Sequence, residues 1–394
     1  MKHYRYLIVG GGLTGDAAAR AIHELDPEGS IGLFSTESDP PYNRPSLSKG
    51  LWKGKPMERV WRKTEATGAV LHLGRTISNI DSKTKSVQDD SGQIYSYEKL
   101  LLATGGTPRR LPFGDVPINY FRDLNDYRQL RAVAEAGASI AVIGGGFIGS
   151  EIAAALSMVG NRATMLFPEK GIGARIFPND LALYLNDFYR SKGIKVLDGE
   201  LVVGLEKVDK QIRVRTDCGT QIDVDYVVAG LGINPNVELA VMADLKLDRG
   251  IVVDEQLRTS QPDIFAAGDV ATFYNNSLHT WLNVEHEENA LWMGQIAGKN
   301  MTGANEVYQH LPLFFSDLFE IGYEGVGVVD SRMDIVADWK VPHEKGVIYY
   351  LRDKHVRGVL LWNVWKMADV ARALIAESGP FENEDLIGRI PFDA

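Results

Sequence analysis

Two strand–glycine turn–helix signatures more than a hundred residues apart, followed by a strand-rich tail, predict an α/β protein. Its expected architecture is two Rossmann-like, three-layer dinucleotide-binding domains plus a small α+β C-terminal domain. The first signature is the apolar run Tyr6–Val9, then Gly10-x-Gly12-x-x-Gly15 with Leu13 and Thr14 inside it, then a helix over Ala17–Ile22. Strand, turn and helix in that order lift the glycine spacing above chance. Gly10 permits the tight turn, Gly12 lets a pyrophosphate approach the backbone, and Gly15 lets helix pack on strand. The helix N-terminus then offers unpaired N–H groups to the phosphates. The second signature repeats this grammar: Ile140–Ile143, then Gly144, Gly146, Phe147, Ile148 and Gly149, then a helix over Ser150–Leu156.

Composition bounds the function. A chain of 394 residues supports two or three domains, and 40 glycines suit glycine-lined sites. The formal net charge of -10 argues against nucleic-acid binding, which wants a basic surface. No apolar run approaches the ~18–20 residues of a membrane span. The first strand begins within a few residues of Met1, so no signal or transit peptide is expected. A cytoplasmic monomer or homodimer with no membrane partner and no metal site is the expectation. Cys218 is the single cysteine, so an intramolecular dithiol relay is excluded. It lies where an alternating strand enters a turn, and reads as an ordinary thiol.

Along the chain, Ser30–Phe34 reads as the second strand. A carboxylate after it usually holds a ribose diol; Glu37 fits, with Thr36 as the alternative register. Pro40–Lys49 reads as a proline-fixed loop entering a helix at about Pro45 or Ser46, in which Arg44, Ser48 and Lys49 offer donors. Lys49–Lys63 is locally basic in an acidic protein; it reads as a solvated helix–loop face, with docking of a small redox protein as the alternative. Short β pieces at Val70–Leu73, Ile77–Ile80 and Ser86–Gln88 lead to the buried strand Tyr97–Leu102. That strand ends in Ala103, Thr104 and Gly105, small enough for backbone contact with a ligand, and Arg109 follows. Asp123–Ala136 reads as a helix. Beyond the second signature, Arg162–Phe167 is a strand with Glu169 two residues on as ribose acceptor; no arginine immediately follows to pair a 2′-phosphate, so NADH is favoured over NADPH. Gly232 lies in a glycine-rich strand end. Gly268 and Asp269 follow another strand, where the carboxylate can accept from sugar-alcohol hydroxyls. Asn283–His286 opens a helix to about Asn300, and the tail from Leu311 is strands and a helix at Ala368–Glu377.

The two signatures, Ala103-Thr104-Gly105 and Ala267-Gly268-Asp269, in this order, resemble the flavoproteins with two dinucleotide domains. Pro41–Lys49 is similar to the ferredoxin- and rubredoxin-reductase branch, with Ser and Lys where disulfide reductases carry redox cysteines. Leu166–Gly171, Ala267–Tyr274 and Asn300–Ala304 resemble the apoptosis-inducing-factor family, here as a microbial relative. The resemblance implies FAD on the first signature, in a discontinuous domain of residues 1–115 and 247–310. It implies NADH on the second, in residues 116–246, with 311–394 as the C-terminal domain. It puts Gly12, Gly15, Arg44, Lys49, Arg109 and Asp269 at FAD, Glu151 beside Lys49 near the flavin, and Glu169 on the NADH ribose. Glu285, His286, Phe314 and Phe315 fall around the ring system, with Phe315 where relatives commonly have Trp. The implied activity is electron transfer from NADH through FAD to an acceptor.

Overall fold

The computed structural model describes residues 1–113 and 115–393, which form two compact units. The first comprises Met1–Arg44, Pro56–Thr107 and Asn234–Pro312. Its seven-stranded sheet runs Val70–Leu73, Ile31–Ser35, Lys2–Val9, Ile94–Leu102, Ser86–Asp89, Ile77–Asp81, with Ile264–Ala266 also paired to Ile94–Leu102. The two strands at the Ile77 edge are antiparallel and the others parallel. The parallel strands read as near-continuous apolar runs because both faces are covered. Helix Leu13–Leu25 buries Ala17, Ala18, Ala21 and Ile22 and packs along helix Glu287–Met301. Register decides where a ligand can sit. Val9 pairs with both Phe34 and Leu102, and Leu102 with Ala266, so the parallel strands finish level. The residues just past those ends are Gly10, Ser35–Thr36, Ala103 and Ala267–Gly268. Strand order reverses beside Lys2–Val9, and the crevice at such a switch point is where open α/β sheets bind ligands.

The second unit comprises Pro45–Lys55, Pro108–Ile233 and Leu313–Ala394. Its parallel sheet runs Lys195–Asp198, Arg162–Phe167, Ser139–Ile143, Tyr226–Ala229, Asn119–Tyr120. Ile143 pairs with Leu166 and Ala229, so these strands also finish level, at Gly144, Phe167 and Gly230. Helix Leu124–Glu135 starts at Asp123, whose side chain accepts from the Asp126 N–H in a reciprocal capping box. An antiparallel sheet of Val202–Val208, Gln211–Thr216 and Gln221–Val224 follows. Cys218 lies in the exposed turn between its last two strands. The tail forms a five-stranded antiparallel sheet (Leu313–Leu318, Ile321–Gly327, His355–Trp362, Lys345–Arg352, Asp334–Val341) with helix Ala368–Ala376 packed on it.

The helix expected at Pro45 or Ser46 does not form. Arg44–Leu47 is one 3-10 turn, and tight turns continue to Gly54. Gly54 adopts a left-handed φ of 80°, and the buried Trp52 indole N–H donates to the Leu47 carbonyl oxygen at 2.7 Å, taking an acceptor that a continuing helix would use. Among the described residues no helix is long and apolar enough to cross a membrane.

Candidate functional site

Both glycine turns are shaped by what surrounds each missing side chain. Gly10 and Gly144 have φ of 129° and 118°, and a Cβ there would lie 2.0 Å from the Ala103 carbonyl oxygen or 2.4 Å from that of Gly230. Gly15 and Gly149 let the helix close down, since a Cβ would lie 2.1 Å from the Gly10 oxygen or 1.9 Å from the Gly144 oxygen. Gly12 and Gly146 differ in kind: a Cβ on either would meet no described atom within 4 Å. Protein packing does not require glycine at these two positions. Each is the N-cap of its helix, and a glycine there brings no side chain to compete for the N–H groups of the first helical turn, which include those of Leu13 and Thr14 or Phe147 and Ile148. Such a cradle fits a pyrophosphate, and it occurs in each unit.

In the first unit the other expected residues gather at the same strand ends. Gly268 approaches the first helix so closely that a Cβ would lie 2.3 Å from Thr14 Oγ1. Asp269 is held through its backbone, its carbonyl oxygen accepting from Asn283 Nδ2 at 3.0 Å. Thr36 is exposed, whereas Glu37 accepts from the Tyr42 hydroxyl at 2.5 Å and from Arg44 Nη2 at 2.6 Å. Burial opposes the Arg44 charge, but Tyr42, Glu37 and Asp269 outweigh it and raise the guanidinium pKa above its ordinary value. His286 is the N-cap of helix Glu287–Met301, with exposed Glu285 before it. Burial pushes the His286 pKa down to about 4, against the opposing fields of Asp269 and Glu288, so the ring is neutral at physiological pH. Ala103, Thr104 and Gly105 are pinned by Asn236. Its Nδ2 donates to the Thr104 carbonyl oxygen at 2.9 Å, and its own carbonyl oxygen accepts from Thr104 Oγ1 at 2.8 Å.

In the second unit Lys49 and Glu151 meet. Lys49 Nζ donates to Glu151 Oε1 at 2.6 Å, and Glu151, just past the first turn of helix Phe147–Met158, is buried. Ser48 Oγ donates to Glu151 Oε2 at 2.5 Å. Phe315 is 40 % exposed, and its ring lies 5.3 Å below the Lys49 ammonium, a cation–π contact. Phe314, on the other face of the strand, is buried against Phe147 with ring centroids 5.2 Å apart. Gly232 has a φ of 82° and its carbonyl oxygen accepts from the Arg109 N–H at 2.9 Å; Arg109 Nε reaches the Ile233 oxygen at 3.1 Å. Glu169 lies on the loop beside the second glycine turn, where the Gly173 N–H donates to the Gly145 oxygen at 2.8 Å.

Several partners were not legible in the sequence. Arg175 Nη2 sits 2.8 Å from Glu169 Oε1, so an arginine does face the carboxylate expected to take the ribose, six residues on rather than adjacent. Ser316 Oγ donates to Glu151 Oε1 at 2.5 Å. Within the basic stretch, Lys49 is engaged by Glu151, and Arg62 by Asp16 at 2.8 Å. Lys53, Lys55, Arg59 and Lys63 are exposed.

Two nucleotide cradles on level strand ends, with a Lys–Glu pair whose carboxylate is buried and no cysteine pair in the sequence, fit a flavin- and nicotinamide-dependent oxidoreductase without a dithiol. Comparison with known proteins agrees. The profile of the pyridine nucleotide-disulphide oxidoreductase family matches residues 4–294, and that of the C-terminal region of apoptosis-inducing factor matches 297–344 and 336–377. The chain belongs to the pyridine nucleotide-disulphide oxidoreductase family and is an FAD-dependent NADH oxidoreductase. It is 32% identical over 438 residues to mitochondrial apoptosis-inducing factor 1 of Dictyostelium discoideum, spanning 100% of this chain and 82% of that protein. It is 30% identical over 367 residues to putidaredoxin reductase of Pseudomonas putida, spanning 90% and 87% of the two chains. The solved covalent putidaredoxin reductase–putidaredoxin complex is similar at a TM-score of 0.90 and 28% identity, over 98% of this chain and 95% of that one.

Proposed function

We propose that the protein is an NADH-dependent reductase of a small redox protein of ferredoxin or rubredoxin type. The observation that carries this reading is that Cys218 is the single cysteine, so electrons cannot pass to a protein dithiol and must leave the flavin for an external acceptor. In this reading FAD is held at the first glycine turn by Gly10, Gly12, Leu13, Thr14 and Gly15, with Arg44, Arg109, Ala103–Gly105, Gly268, Asp269, Glu285, His286 and either Thr36 or Glu37 contributing. NADH is held at the second by Gly144, Gly146, Phe147, Ile148 and Gly149, with Glu169, Gly232 and Phe315. When bound, FAD supplies the exchange between hydride transfer and single-electron chemistry. Lys49 would hydrogen-bond the flavin ring and offset negative charge on it, while Glu151 would hold that ammonium in place. The open face of Phe315 covers the ring system without the N–H that an indole would offer.

Docking of a carrier protein is supported by a groove of about 240 Å³ in the first unit, lined by Ala17, Arg20, Ala21, Glu24, Arg62, Leu291, Trp292 and Gln295. An exposed tryptophan flanked by two guanidinium groups is the composition that anchors a protein interface. Relatives that reduce such carriers include the ferredoxin--NAD(+) reductase component of a Burkholderia cepacia dioxygenase system, 32% identical over 348 residues. A second reading, a redox-responsive binding protein with slow turnover, is favoured by the match of residues 297–377 to the apoptosis-inducing-factor C-terminal region. Stopped-flow mixing with NADH, with and without oxygen and a ferredoxin, separates them. Rapid flavin reduction followed by carrier-accelerated reoxidation is expected. A long-lived reduced complex that no carrier discharges, with an altered gel-filtration position, supports the second reading.

A further inference from the structure

We propose that Ser316, with Ser48 as its counterpart, is a positioning residue that fixes Lys49 through Glu151. The role rests on the reading of Lys49 as a flavin contact. A buried carboxylate must have its lone pairs satisfied by the protein, because water is not there to do it. Glu151 is 4 % exposed and receives three donors: Lys49 Nζ and Ser316 Oγ on Oε1, Ser48 Oγ on Oε2. The donors come from two stretches far from Glu151 in sequence, one before it and one after. Each hydroxyl takes one side of the carboxylate, so the group cannot rotate about its last bond without losing a charge-assisted hydrogen bond.

Strand Leu313–Leu318 explains why Ser316 suits this role. Side chains alternate along it, so Phe315 faces out while Ser316, at 0 % exposure, faces the interior. Its hydroxyl is therefore committed to protein partners, and it also interacts with the buried phenol of Tyr323. Consecutive residues thus act on one ammonium from two sides: Phe315 offers its ring face at 5.3 Å, and Ser316 holds the carboxylate that the ammonium pairs with. Without the Ser316 hydroxyl, Oε1 keeps only Lys49 as donor and the carboxylate is free to turn toward Ser48. The ammonium then loses its fixed place while its charge is retained. A charge in the wrong place costs rate and shifts potential without emptying the site.

The test uses the purified flavoprotein carrying Ser316→Ala, Ser316→Thr, Ser48→Ala, Lys49→Ala or Glu151→Gln, and the Ser316→Ala/Glu151→Gln double variant. One readout ignores the flavin altogether: acetylation of Lys49 by an amine-reactive reagent, followed by mass spectrometry against exposed Lys55. The others are the flavin midpoint potential and the anaerobic rate of reduction by NADH. Ser316→Ala should raise Lys49 acetylation about three- to tenfold, lower the potential, and slow reduction by about tenfold, the size expected for one hydrogen bond to a charged group. Ser316→Thr should restore the hydroxyl and the rate, and Ser316→Ala should add nothing once Glu151 is Gln. Unchanged Lys49 acetylation in Ser316→Ala overturns the proposal, as does full additivity with Glu151→Gln. If Ser316→Ala does not fold, Ser48→Ala decides by the same acetylation criterion. Raised Lys49 acetylation in Ser316→Ala, together with a wild-type potential in both Ser316→Ala and Lys49→Ala, instead overturns the placement of Lys49 at the flavin, and with it any part for Ser316 in the reaction.

Discussion

The two glycine turns share their geometry, yet the acids that follow them serve different ends. Asp16 comes directly after Gly15 and is fully buried; it accepts from Arg20 Nε at 3.0 Å, Arg62 Nε at 2.8 Å and Thr64 Oγ1 at 2.7 Å. Arg20 Nη2 in turn donates to the Arg62 carbonyl oxygen. That network ties the segment around residue 62 to the first helix. Glu151 comes one position later relative to Gly149, and that shift turns its carboxylate by about 100° around the helix. There it meets one ammonium and two hydroxyls instead of two guanidinium groups. Duplicated architecture therefore leaves room for a buried acid near the start of each helix, at positions one residue apart. The partners decide whether it anchors a segment or orients a charge.

The sharpest way to break the comparison is to close each turn separately. Gly149→Ala puts a Cβ 1.9 Å from the Gly144 oxygen and should weaken NADH binding at least about thirtyfold while the protein stays yellow. Gly15→Ala puts one 2.1 Å from the Gly10 oxygen and should give colourless protein. Titrating NADH and scanning the flavin absorbance checks both; if Gly15→Ala protein retains flavin and Gly149→Ala protein loses it, the assignment of the two turns is reversed.

Next come the two acids. Asp16→Ala leaves two arginines facing a buried void and should cost about 3 kcal/mol of stability, with the flavin potential unchanged. Glu151→Ala should move the potential and slow hydride transfer as well as destabilise. Denaturant melts alongside redox titration show whether the two separate as expected; equal shifts in potential would erase the distinction between anchor and orienter.

A smaller effect distinguishes the first unit by pH. His286 has a pKa of about 4 against an ordinary 6.5, so the unfolded chain takes up the proton first. Stability from this group is complete above its ordinary pKa and falls as pH drops toward about 4, by roughly 2–3 kcal/mol in FAD-free protein. His286→Gln should flatten that slope in an acid-unfolding series, and an unchanged slope would count against a neutral ring in the folded protein.

The smallest expected effect lies on the second turn. In the proposed function Glu169 would accept a ribose hydroxyl and repel a 2′-phosphate, but Arg175 offsets part of its charge through a pair whose arginine side chain is 81% exposed. Such pairs are worth about 0–1 kcal/mol, so the preference for NADH over NADPH should be moderate. Glu169→Ala should narrow it and Arg175→Ala widen it, each by less than about fivefold, in reduction rates at subsaturating nucleotide.

Much of this was legible because the chemistry is local. Strand, turn and helix sit within one stretch at each signature, and glycine spacing records close backbone approach directly. Lys49 was legible as a donor on its proline-fixed loop, whereas Glu151 was legible only through motif resemblance. The partners that set their behaviour were not, because Ser316 to Glu151, Arg62 to Asp16 and Asn236 to Thr104 are long-range closures carried by ordinary polar residues with no periodic signature. The turn at Pro45 was misjudged for a related reason. A proline at a helix start is a good local signal, but the Trp52–Leu47 hydrogen bond that holds the chain in successive tight turns is formed by the collapsed loop itself.

The first nucleotide unit is assembled from three separate stretches, and strand Ile264–Ala266 and helix Glu287–Met301 belong to the last of them. A ribosome making this chain therefore releases the first glycine turn long before the pieces that complete its sheet and cover its helix. Between Thr107 and Asn234 lies a stretch that takes on the order of ten seconds to translate. During that interval the edge of Ile94–Leu102 that will receive Ile264–Ala266 is a strand awaiting its neighbour, and Ala17, Ala18 and Ala21 have no helix against them. Newly made chains should be most dependent on chaperones in that window, and truncations ending before residue 264 should aggregate rather than bind flavin.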